Sequence, residues 1–263
     1  MPTTKLSRLG DGFKVGSPAS ISDKLAHFQV NDEVFTIHLD LLLDLVSEWP
    51  DLFEFTHDDE NREPHYSYDC DDGPYVVRGL VYWIYTRDFP GDETIREWDY
   101  PEEWDEGEEE EPLACSLVIE LYFFGWLMQI GRLLDEAMNF LFFQYKKQRI
   151  PPSVGRINQI YETQHTSGLK DFCVDMHTKW CIIDWSALGI DQLDDESGGY
   201  PTAFLWDFFV RMGMRNYKTA KDGSSAENCM VLKLRDYHEH WDKRMELLCP
   251  CGSPQEGIHF IIE

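Results

Sequence analysis

Between residues 35 and 53 the hydrophobic period changes from two residues to about 3.6, so a strand must run almost directly into a helix. Upstream, Ala26, Phe28 and Val30 alternate with His27 and Gln29. Asn31-Asp32 then offers a tight turn, and Phe35 and Ile37 alternate with Thr36 on the return. That pattern predicts a hairpin. After it, Leu39, Leu42, Leu43, Val46 and Trp49 share one expected helical face, with Asp40, Asp44, Ser47, Glu48 and Asp51 opposite, until Pro50 ends the helix.

The chain beyond alternates polar and apolar stretches. His65-Tyr-Ser-Tyr68 is a short alternating run expected to give a third strand, and Val77, Leu80, Val81 and Ile84 predict a helix opening after Pro74 and closing at Thr86-Arg87-Asp88. Residues 92–111 form an acidic insertion, with Glu102, Glu103, Asp105, Glu106 and the run 108–111 set against Arg96 alone. A run of this kind repels itself, so the segment is expected to be unpacked and dispensable. Its aromatic residues Trp98, Tyr100 and Trp104 suit anchoring to a partner.

Residues 113–131 are apolar for about the length of a bilayer span. Glu120 near the middle argues against insertion, since a central acid costs about 2.5–3.5 kcal/mol. Gly131-Arg132 followed by a fresh amphipathic run predicts a helix-turn-helix instead, with two helices packed through Leu117, Leu121, Phe124 and Met128, then Leu134, Ala137, Met138, Leu141 and Tyr145. Pro151-Pro152 breaks the pattern and marks an expected domain boundary. Three more helical faces follow: Val154, Ile157, Ile160 and Tyr161; Leu169, Phe172, Cys173, Met176 and Trp180; and, after Pro201, Phe204, Leu205, Phe208, Phe209 and Met212, expected to be core.

With 43% apolar and 14% aromatic residues, 263 residues suffice for a packed soluble core. A net charge of −26 argues against direct binding to nucleic acid, whose affinity comes largely from Lys and Arg neutralising phosphates. Seven scattered cysteines have no secreted-framework spacing and are expected to be reduced. Residues 1–19 have the polar composition of a flexible leader and lack the apolar core of a signal peptide, so the expected location is the cytoplasm or nucleus.

No nucleophile elbow, phosphate loop or metalloprotease helix motif occurs, so no catalytic or cofactor-binding residue is assigned. His38, at the start of the first helix, is expected to close local hydrogen bonds. His238, His240, Cys249 and Cys251, with Cys229 near them in sequence, have the ligand types of a zinc site. One residue intervenes within each pair where knuckles usually have two to four, so these residues are expected to cap the C-terminus and no metal site is assigned.

The hairpin followed by His38, Leu42, Ser47 and Phe53, with Asp23 before it, resembles the opening of a BTB/POZ domain. Leu80-Val-Tyr-Trp-Ile-Tyr-Thr86 resembles that family's helix ending in Tyr-Thr, with Arg87 where the family usually has Gly. The stretch from Leu121 to Leu133, with Ala137-Met138, resembles its closing helical pair. Pro151-Pro152-Ser153, Ile160-Tyr161-Glu162 and Tyr237-His-Glu-His240 further resemble BTB-containing proteins of fungi.

The resemblance implies an α+β fold, with a BTB/POZ unit over 20–149 and a helical C-terminal extension over 150–263. In it His38 would serve packing, and Asp23 and Ser47 would shape the fold and its dimer surface. It also implies a protein-interaction module, homodimerising or serving as adaptor or scaffold, with protein partners that include a second copy. A cullin-type ubiquitin-ligase adaptor is the first alternative and a zinc-binding protein the second. Thr56-His-Asp-Asp-Glu60 stands where such an adaptor would carry an apolar-x-Glu docking motif.

Overall fold

The computed structural model describes residues 25–31, 33–45, 54–57, 64–67, 73–98, 100, 111–163, 167–180, 199–222 and 237, with the side chains of 54–57, 64–67, 167, 180, 218–220 and 222 left aside. The fold is α+β. Two compact units divide the chain, Met1–Trp104 with Pro112–Arg132 and Asp105–Glu111 with Leu133–Glu263.

The first unit opens with strands β1 (Leu25–Val30) and β2 (Glu33–His38), paired antiparallel from Leu25 against His38 to Val30 against Glu33. Asn31 turns the chain at φ 53°, a left-handed conformation that Asn tolerates well. Ala26, Phe28, Val30, Phe35 and Ile37 are buried, as their alternation requires.

Helix α1 (Leu39–Leu45) follows β2 without a break. Leu42 is buried on it, but Leu43, expected on the same face, is half exposed, because one residue turns a helix by about 100°. Strand β3 (Glu54–His57) pairs antiparallel with β4 (Pro64–Ser67), and β4 lies parallel to β1, giving the order β2-β1-β4-β3. β4 falls on the expected third strand. β3 was not expected, since four residues with Phe55 as their one strongly apolar side chain give no period to read.

Helix α2 (Pro74–Thr86) starts with proline in its first turn, where a missing N–H costs nothing. It ends with Arg87 at φ 58°, whose N–H is donated to the Trp83 carbonyl at 2.8 Å. The guanidinium lies 5.3 Å from the centre of the Trp83 ring. Short helix α3 (Asp92–Arg96) leads toward α4 (Leu113–Leu127).

Gly79 lets α2 and α4 approach closely, because a Cβ there would sit 3.1 Å from Leu117 Cδ1. Residues 113–119, 121, 122, 124 and 125 of α4 are all buried. Among the described residues no helix is long and apolar enough to cross a membrane.

The expectation of an unpacked segment from 92 to 111 is corrected at both ends. Ile95 is fully buried, and Asp92 Oδ1 accepts the Ala114 N–H at 2.8 Å in the first turn of α4. At the other end, the carboxylate of Glu111 is buried. Negative charge dominates the composition of the segment, but one isoleucine and two well-placed carboxylates decide its ends.

Helix α5 (Gly131–Gln148) carries the division between the units, which falls between Arg132 and Leu133. Pro151-Pro152 follows the end of α5, and α6 (Val154–Glu162), α7 (Ser167–Trp180) and α8 (Thr202–Asp222) belong with most of α5. Ser153 caps α6 by accepting the Arg156 N–H at 3.3 Å. Phe142, Tyr145, Phe172 and Tyr237 bring their rings within 5.4–6.3 Å of one another in this unit's core.

Candidate interaction surface

His38 sits where β2 becomes α1, and both its backbone N–H and its imidazole are tied to one hydroxyl. Tyr85 Oη accepts the His38 N–H at 3.1 Å and lies 2.7 Å from Nδ1, with the rings edge-on. Burial pushes the Tyr85 phenol above its usual range, while the His38 N–H pulls the other way. His38 and Tyr85 thereby join the strand-to-helix corner to α2, a positioning task.

Asp23, Ser47 and Phe53 lie outside the described residues, as do Cys229, His238, His240, Cys249 and Cys251. Among the described residues no group of three or more His, Cys, Asp or Glu is placed to hold a metal ion. Cys115 and Cys173 are buried free thiols. Burial raises the Cys173 thiol well above its usual range, with the Glu111 charge adding to it, so its nucleophilic thiolate is suppressed.

The second unit buries several polar groups, Glu111 and His177 among them. Glu111 accepts a hydrogen bond from the Tyr145 hydroxyl and lies 3.6 Å from Arg156 Nε. Burial raises its carboxyl above the ordinary range; Tyr145, Arg156 and Ser153 pull it back down. His177 is buried on α7 with Nδ1 2.9 Å from the Cys173 carbonyl, between the edges of Tyr200 and Phe204. Burial holds its imidazole down at about 4, which keeps it neutral. Glu111 is bonded to Tyr145 and Arg156, far along the chain, and His177 to a carbonyl one turn back; what both do is lock helices.

Helix α8 reverses the usual division of an amphipathic helix. Phe204 and Phe208 are buried, as expected, but the charged residues beside them are turned to α6 and α7. Asp207 accepts the Tyr161 hydroxyl at 3.0 Å, and Arg211 reaches Asp171 at 2.6 Å and Asp175 at 3.0 Å. Asp175 also accepts the Tyr237 hydroxyl at 2.9 Å, and Arg215 donates to the Thr178 carbonyl.

With Asp207, Arg211 and Arg215 bonded to α6 and α7, the helix presents apolar residues to solvent. Trp206 is 71% exposed, Val210 42%, Met214 60% and Tyr217 68%. Phe209, expected to be core, is 50% exposed at the margin of this face and meets Phe208 edge-on. Residues 206, 210, 213, 214 and 217 fall on one side of the helix over three turns.

Sequence reasoning took one apolar stripe from α8, the Phe204–Phe208 side, and missed the second. Trp206, Val210, Met214 and Tyr217 were legible as a set at helical spacing; what the sequence does not show is which of two apolar sides meets the core. No family model, curated protein or solved structure matches the chain.

Proposed function

We propose that the chain is a protein-association module without catalysis of its own, built on a BTB/POZ-like unit. The observation that carries this reading is the exposed apolar face of α8, since contiguous apolar surface on a folded domain marks an interaction site. Asp207 and Arg211 tie the helix to α6 and α7, which holds that face in place and reduces the ordering cost of association.

Unit one is consistent with the resemblance on which the BTB/POZ part rests. A hairpin leads straight into a helix, a later strand returns parallel to the first, and His38 braces the corner. Val34, on a strand at the edge of the sheet, and Leu43 on α1 are each about half exposed there.

Proximity labelling in the native cell, comparing the wild-type chain with Trp206→Glu, tests the reading. A set of neighbours lost in the variant is the expected result; an unchanged set, with the variant still folded, overturns α8 as the association face. Retention of a cullin-type scaffold in the same experiment would specify a ligase adaptor. One equivalent of zinc, with a chelator-induced fall in melting temperature, would replace the metal-free reading by a zinc protein that depends on His238, His240, Cys249 and Cys251.

A further inference from the structure

We infer that the occupant of the exposed α8 face is the same face of a second copy of this chain, the two helices packing antiparallel about a two-fold axis level with Arg211 and Met212. This rests on the association reading and names the partner. A two-fold interface must be self-complementary, with residue i facing j wherever j faces i. The α8 face has that order: about a centre between positions 211 and 212, Trp206 falls opposite Tyr217 of the other copy, and Val210 opposite Gly213.

Gly213 is the second observation. A glycine inside a helix weakens it, and is usually explained by something packed close against it. Among the described residues a Cβ here would meet nothing within 4 Å, so their packing gives the glycine no reason. A second helix crossing at that level supplies one, because Val210 of the other copy fills the space that a side chain at 213 would take.

The area agrees. Aromatic side chains bury roughly 150–250 Å² each, so the face offers on the order of 500 Å², at the upper end of the roughly 300–600 Å² of the largest patch on an ordinary monomer. Doubled across the axis this reaches about 1,000 Å², the lower limit for a specific interface, which fits a weak and reversible dimer. The chain carries −26, so two copies repel one another at long range. Added salt relieves that repulsion.

Sedimentation of the full chain from low to high micromolar concentration tests the pairing. The expected weight-average mass rises from 30.9 kDa toward twice that value, and the dimer tightens as ionic strength increases. Val210→Glu weakens it about tenfold or more, the equivalent of about 1.4 kcal/mol. Phe143→Glu, at an exposed position on α5, leaves it unchanged.

Gly213→Leu gives opposite signs in two readouts: it raises the melting temperature of the dilute monomer and weakens the dimer. A purely structural glycine would lower the first. Trp206→Glu and Tyr217→Lys each weaken the dimer, and the double variant recovers part of the loss by pairing Glu with Lys across the axis. No recovery overturns the antiparallel register, and a monomer mass at every concentration and salt overturns the pairing. In that last case, neighbours still lost on Trp206→Glu in the cell leave the association reading standing with a different partner, and unchanged neighbours remove both.

Discussion

Helices α4 and α8 are both rich in large apolar side chains, yet the fold uses them in opposite ways. Helix α4 is covered nearly all round: the seven residues from Leu113 to Ile119 are buried, and only at Glu120, Phe123, Trp126 and Leu127 does it open. Helix α8 keeps Phe204 and Phe208 inside and leaves Trp206, Val210, Met214 and Tyr217 outside. Apolar content alone does not separate a central helix from an interface helix. What separates them is the destination of the polar groups: on α4 there is almost none to place, whereas on α8 Asp207, Arg211 and Arg215 are all bonded to groups on α6 or α7. Once the charged flank of a helix is its inner flank, its apolar flank has nowhere to go but outward.

The largest expected effect tests the α4 side of this contrast. Leu117 is fully buried against Gly79, so Leu117→Ala removes packing that α2 cannot refill, because a helix backbone and not a mobile side chain faces the gap. The expected loss is about 2–5 kcal/mol, the range for large-to-small core changes. Urea midpoints measure it, and a loss under about 0.5 kcal/mol, typical of surface sites, would mean that α4 is not central.

His177, buried with its ring against Phe204 of α8, tests how dry that interior is. Its folded value of about 4 lies below the ordinary 6.5, because burial disfavours the imidazolium. Between those values the unfolded chain binds more protons than the folded one. This contribution to stability is therefore complete above about pH 6.5 and is lost as pH falls toward 4, by about 3 kcal/mol in all. His177→Gln should flatten that part of the profile while leaving an amide to bond the Cys173 carbonyl. Equal slopes for wild type and variant in urea melts over that window would show that water reaches the imidazole.

The sequence exposed the parts of the fold governed by period. Strands β1 and β2, helix α2 and the α4–α5 pair all follow from apolar spacing, and His38 was legible as a corner residue because an imidazole at a strand-to-helix junction has few other tasks. Three features were hidden for physical reasons. Strand β3 is too short to show alternation and exists through its pairing with β4. The ends of the 92–111 segment are fixed by buried Ile95 and by Asp92 and Glu111, whose partners lie 22 to 45 positions away. The outward side of α8 depends on Tyr161, Asp171 and Asp175 drawing its charges inward, which no window on the helix itself contains.

Arg87 offers a smaller test on the α4 side, at the end of the helix packed on it. At φ 58° its Cβ is crowded against the following carbonyl, a conformation glycine adopts freely. Arg87→Gly and Arg87→Ala both lose the guanidinium over Trp83, so comparing the two isolates the backbone. Glycine should be the more stable by about 1 kcal/mol. If alanine equals it, the left-handed cap of α2 is not maintained in solution.

The smallest expected effect is the most telling for α8. Val210 is partly exposed, so Val210→Ala removes little buried surface, while exchanging a β-branched residue for alanine improves helix propensity by a few tenths of a kcal/mol. In dilute protein the two changes nearly cancel, and stability should move by less than about 0.5 kcal/mol in either direction. At concentrations where copies associate, the same substitution should lower the melting temperature, because anything that weakens binding to the folded state removes the stabilisation that binding confers. A single substitution thus separates the two ways an apolar helix side can be used. A loss above about 2 kcal/mol in dilute protein, the range of core truncations, would show that α8 is covered within one chain and that its contrast with α4 fails.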